Sequence, residues 1–128
     1  MDSRRSVLIV DGSDESRIVL QTALEHRGVR TIAASQAKQG LALAQQHHPD
    51  LIVLDLEIDP GGLAEVAAPF AEHSRTDHGS LVLLGSVRRR HPLPQGEYVA
   101  KPYHYAPLIR RIEEILSANP KQAGAPSH

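Results

Sequence analysis

The chain has 128 residues, 41% hydrophobic and 23% charged, a size and usage that suit one globular domain and exclude a disordered chain. With no cysteine, a disulfide scaffold, a thiolate metal site and a cysteine nucleophile are excluded. The net charge of −1 argues against bulk attraction to nucleic acid, yet Ser86–Ile112 holds six basic residues (Arg88, Arg89, Arg90, Lys101, Arg110 and Arg111) against one acid, Glu97.

In chain order, Met1-Asp-Ser-Arg-Arg has no apolar core behind it, and no apolar run is long enough to cross a bilayer, so a cytoplasmic domain without membrane or DNA contact is expected. Ser6–Val10 is the first strand, a continuous rather than alternating apolar run, and Leu51–Leu54 and Leu81–Leu84 repeat its character. Runs of this kind belong to strands buried on both faces, hence to a parallel sheet covered by helices. Val29–Ala33 and Glu97–Ala100 are weaker strand signals. Asp14 or Ser13 caps a helix that runs to about Arg27 and ends at Gly28; Ser35 caps the next, which Pro49 stops. Gly62–His73 predicts a third helix despite Pro69, and Ala106–Ser117 a last one with Leu108, Ile112 and Ile115 inward.

Alternation of strands and helices implies right-handed crossovers and an α/β sandwich. One link breaks the rhythm. Only Val87 to Glu97, VRRRHPLPQGE, separates the fourth strand from Tyr98 of the fifth, and Pro92 and Pro94 oppose a helix there. The fourth helix is therefore expected to be missing or strongly shortened. Residues 1–118 form the expected domain, and 119–128, polar with Pro and Gly, a flexible tail or linker remnant.

In an open parallel sheet, chemistry gathers at the carboxyl ends of the strands, where this chain puts Asp11, Asp55 and Lys101. Together, VLIVDGSDESR (7–17), HPDLIVLDLEIDPGG (48–62) and EYVAKP (97–102) resemble the receiver domain of two-component response regulators. The resemblance implies a flavodoxin-like, doubly wound five-stranded sheet of order 2-1-3-4-5. It also implies roles: Asp55 as phosphoacceptor, Asp11 as first of an acidic pair, Lys101 as pocket cation and Tyr98 as the aromatic switch. Mg²⁺, where bound, would be held by Asp11, Asp55 and the main-chain carbonyl of Glu57. The departures fall on this machinery. Gly12 replaces the second acid, and Gly85 takes the place of the hydroxyl residue expected after the fourth strand, with Ser86 one step beyond. Asp11, Asp55 and Lys101 then read as the remnant of a pseudo-receiver, which requires no cofactor and is not an enzyme.

If the fifth strand lacks a helix over one face, Tyr98 and Ala100 share the uncovered side. Arg88, Arg89, Arg90, Tyr98, Ala100, Pro102, His104 and Arg111 then form a candidate seat for a small anionic ligand. Arginine grips phosphate or a guanine edge bidentately, and tyrosine stacks on a base. This architecture is similar to pseudo-receivers of hybrid histidine kinases that bind cyclic di-GMP, which names the leading ligand. The implied partners are the catalytic domains of a histidine kinase or a neighbouring receiver. A conventional phosphoacceptor using Asp55 and Mg²⁺, and a ligand-free docking module, are the alternatives. The eight histidines are read as surface residues, since none has i,i+4 spacing to another.

Overall fold

The computed structural model describes residues 4–58, 63–86 and 96–118, the first three residues of the second stretch as backbone alone. The element order is β1 (Ser6–Val10), α1 (Asp14–His26), β2 (Arg30–Ala34), α2 (Ala37–His47), β3 (Leu51–Asp55), α3 (Leu63–Asp77), β4 (Ser80–Gly85), β5 (Glu97–Ala100) and α4 (Tyr105–Ala118). The strands form one sheet in the order β2-β1-β3-β4-β5, every neighbouring pair parallel, as the resemblance implies.

All five side chains of β1 and of β3 are buried. Their period-two alternation divides the core into two layers. Val7, Ile9, Leu51 and Val53 meet Leu20, Leu24, Leu108, Ile112 and Leu116 of α1 and α4. Leu8, Val10, Ile52 and Leu54 meet Ala44, Val66 and Phe70 of α2 and α3. Each fully buried large aliphatic side chain contributes about 1.5–3 kcal/mol, so these two layers hold the strand ends in place. Gly40 of α2 lies so close to β1 that a Cβ there would stand 2.6 Å from Val10 Cγ2.

Several ends differ from the sequence reading. Ser13 caps α1 by accepting the Ser16 N–H, and Gly28 follows at φ +81, both as expected. Ser35 does not cap α2; the N-cap is Gln36, which makes no side-chain cap bond. α3 runs one turn past His73 with Pro69 inside it, and stops where His78 adopts φ 63. Pro69 lacks an N–H, but Val66, Ala67, Phe70 and Ala71 are buried around it, and that packing outweighs the local penalty. The expected loss or shortening of a helix between β4 and β5 concerns residues 87–95, outside the described residues, as does the tail 119–128. Gly96, at φ +104, begins the return into β5, and a Cβ there would lie 2.7 Å from the Leu81 carbonyl oxygen. Only glycine fits that approach.

Candidate functional site: the acidic pocket

β1 and β3 are adjacent and parallel, so Asp11, one residue past β1, and Asp55, the last of β3, emerge side by side at their carboxyl ends. Both are buried. Asp11 Oδ1 accepts the Ser13 N–H at 2.8 Å, and its carbonyl accepts Arg17 Nη1 at 2.7 Å. Burial pushes the Asp11 carboxyl above its usual range; the Ser13 N–H opposes this, and the neighbouring Asp55 adds to it.

Lys101, one residue past β5, closes the pocket. Its Nζ lies 2.8 Å from Asp55 Oδ1, which also accepts the Glu57 N–H at 3.0 Å. The same ammonium reaches Glu57 Oε1 at 3.1 Å, while Glu57 Oε2 accepts the Ser86 N–H at 3.1 Å and the Ser86 hydroxyl. The Ser86 hydroxyl and Lys101 together pull the Glu57 carboxyl down to about 2. Burial weakens the charge on Lys101, but its bonds to Asp55 and Glu57 outweigh that and hold the ammonium more firmly than usual. The sequence reading gave Glu57 only a main-chain role. Its side chain instead joins Ser86 to Lys101 from the turn that follows β3, a placement that strand periodicity does not reach.

The donor set for Mg²⁺ falls short of what the resemblance implies. Asp11 and Asp55 bring two carboxylates together, Gly12 brings none, and the Glu57 carboxylate is turned to Ser86 and Lys101. Room exists at position 12, where an added Cβ would meet only Ile58 Cγ1 at 3.8 Å.

Tyr98 is not open to solvent as the sequence reading placed it. Its ring is half-buried against the layer that holds Leu83 and Phe70, and its hydroxyl donates to the Gly85 carbonyl at 2.8 Å. That carbonyl also accepts the Lys101 N–H at 2.9 Å. Leu83 pairs with Tyr98 across the β4–β5 ladder, so the ring and its acceptor lie on one fixed frame.

The proposed ligand seat is divided. Ala100, Pro102 and His104 are exposed near the carboxyl end of β5. Pro102 borders a hollow of about 420 Å³ with Ser16, Ser86, Lys101, Tyr103 and Tyr105. Arg111 belongs elsewhere: its Nε and Nη2 each bond Glu97 at 2.6 Å, and Nη1 bonds Glu114 at 2.9 Å. Glu97 opens β5 and Ala100 closes it, so this pairing lies about 10 Å away along the strand. Arg88, Arg89 and Arg90 lie outside the described residues. Among the described histidines, His26, His47, His48, His78 and His104 are exposed, as read from the sequence, and His73 is partly covered, one helical turn before Asp77.

A family model described as "Response regulator receiver domain" matches residues 7–69. The chain is 29% identical over 126 residues to the probable transcriptional regulator ycf27 of Guillardia theta, covering 96% of this chain and 50% of that protein. It is 29% identical over 119 residues to histidine kinase P4 of Formosa agariphila, covering 88% of this chain and 9% of the kinase. It therefore spans half of one relative and a small part of the other. The crystal structure of a CheY-like receiver domain protein from Methanospirillum hungatei superposes with a TM-score of 0.79 at 20% identity, covering 94% of this chain and 99% of that one.

Proposed function

This chain belongs to the response regulator receiver family of two-component signalling, and from that premise we propose that it works as a pseudo-receiver, signalling by domain contact without phosphoryl transfer to Asp55. Receiver domains are signalling modules rather than enzymes. The observation that carries the reading is the placement of the Lys101 ammonium between Asp55 and Glu57, at 2.8 and 3.1 Å. Phosphoryl transfer gathers negative charge, which has to be met by cations. Here the pocket cation already serves two carboxylates, and no second acid stands at Gly12 to help hold a metal ion.

The partner in this proposal is a histidine kinase, through its catalytic domains or an adjoining receiver. The match to histidine kinase P4 supports it. Exposure of the full chain to acetyl phosphate and Mg²⁺, followed by intact mass measurement, tests the first half. No phosphoryl adduct is expected; an adduct lost in Asp55→Asn would overturn the reading.

A second reading makes the contact responsive to a small anion, with cyclic di-GMP the leading candidate. It draws on the exposed Ala100, Pro102 and His104 at and beyond the end of β5, and on the Arg88-Arg89-Arg90 run in the sequence. Calorimetry with the dinucleotide tests it. Saturable heat that Arg89→Ala abolishes supports the reading, and no heat in either protein removes it, leaving a ligand-free docking module.

A further inference from the structure

We propose that His48, His73 and Asp77 form a site for a divalent transition metal ion of the Zn²⁺ class, at the amino end of the sheet. His48 is the C-cap of α2, and its left-handed conformation (φ 51) turns the chain immediately before Pro49. His73 and Asp77 stand one turn apart on α3. His48 Nδ1 lies 3.1 Å from Asp77 Oδ1, His73 Nε2 lies 3.7 Å from Asp77 Oδ2, and one ligand atom from each residue can be chosen so that all lie within 4.8 Å. The two rings are nearly parallel, with centroids 6.3 Å apart at 22°.

These separations suit a shared ion. With metal–ligand bonds of about 2.0–2.1 Å, a tetrahedral site holds its ligand atoms about 3.3 Å apart. The two contacts, 3.1 and 3.7 Å, lie on either side of that value but reach different Asp77 oxygens, and the three ligand atoms lie within 4.8 Å, so the side chains would draw together around the ion. Two imidazoles and one carboxylate favour Zn²⁺ or Co²⁺ over Mg²⁺ or Ca²⁺, which prefer all-oxygen sets. His73 and Asp77 are mostly covered, at 11% and 18% exposure, whereas His48 is 61% exposed.

The ligands stand on a fixed frame. The His48 N–H donates to the Ala44 carbonyl at 2.9 Å, and Asp50 ties the following residues to β1 and β4 through Ser6 and Ser80. His78 N–H donates to the Ser74 carbonyl at 2.9 Å and fixes the end of α3. Preorganisation of this kind is what a metal site requires. The site is separate from the acidic pocket, because Asp55 is at the far end of β3, a strand about 15 Å long.

The test is titration of the full chain with Zn²⁺ by calorimetry and with Co²⁺ by visible absorption. One ion per chain and the absorption bands of four-coordinate Co²⁺ are expected. His48→Ala and Asp77→Asn should each weaken binding by more than about tenfold, since loss of even an outer partner of a ligand costs about 10–100-fold. Asp55→Asn should leave the affinity unchanged. His48 is exposed, so its variant decides the matter if Asp77→Asn fails to fold. Absence of binding, equal affinity in wild type and His48→Ala, or loss of binding in Asp55→Asn would overturn the proposal.

Discussion

The Tyr98 hydroxyl sits 2.8 Å from the Gly85 carbonyl oxygen, and a Cβ built on Gly85 would lie 3.2 Å from that same hydroxyl. The glycine thus leaves the space that the tyrosine occupies. Gly85→Ala should press on the hydroxyl and on Leu56 Cδ1, at 3.4 Å, and destabilise the fold by about 1–3 kcal/mol, the range for overpacking. In a Tyr98→Phe background the nearest obstacle is gone, so the same substitution should cost less. Urea unfolding of the four proteins measures this coupling; strictly additive effects would contradict it.

Glu57 gives a pH-dependent prediction. Its carboxyl titrates at about 2 in the folded protein against an ordinary 4.5, so the ionised form favours folding. The contribution is whole above the ordinary value and is lost as pH falls through the folded one. Glu57→Gln should therefore destabilise the protein near neutrality, by no more than about 1 kcal/mol because solvent reaches the pair. Comparison of wild type and variant by denaturant midpoint from pH 7 to below 2 should show the difference shrinking under pH 4.5 and vanishing at the acid end.

Gly12→Asp should strengthen Mg²⁺ binding relative to the wild-type chain. An added Cβ meets only Ile58 Cγ1 at 3.8 Å, so the carboxylate has room beside Asp11. Amide shifts of residues 11–13 and 55–57 are expected to saturate with Mg²⁺ at lower concentration in the variant than in the wild type. Equal Mg²⁺ responses in wild type and Gly12→Asp would show that the missing acid is not what limits the pocket.

Gly40→Ala tests the packing that carries β1. Its methyl group would meet Val10 Cγ2 at 2.6 Å, so α2 must shift away from the strand that leads to Asp11. A loss of about 1–3 kcal/mol is expected in thermal or urea unfolding. A neutral result would mean that α2 yields more freely than this contact suggests.

Much of the fold is legible in the sequence because β1, β3 and β4 are buried on both faces and therefore read as unbroken apolar runs. β2, read as Val29–Ala33, forms one residue later, since only Ala34 of its five residues is fully buried and the pattern is weak. The end of α3 is not legible because Ser74 and Asp77 carry no apolar signal, although Ser74 is buried. Asp11, Asp55 and Lys101 are legible as strand-end charges. The inward turn of Tyr98 and the Arg111–Glu97 pairing are not, because each depends on which side of β5 a residue takes and on a neighbour 13 or 14 positions away.

The proposal stands or falls on whether Lys101 stays with Asp55 and Glu57 and the pocket declines a phosphoryl group. Beryllofluoride, a stable mimic of that group, tests it directly when added with Mg²⁺ while the amide spectrum is recorded. The account predicts no saturable shift at Asp55, Glu57, Ser86 or Tyr98. A saturable response at these residues, abolished by Asp55→Asn, would contradict it and make the chain a phosphoacceptor.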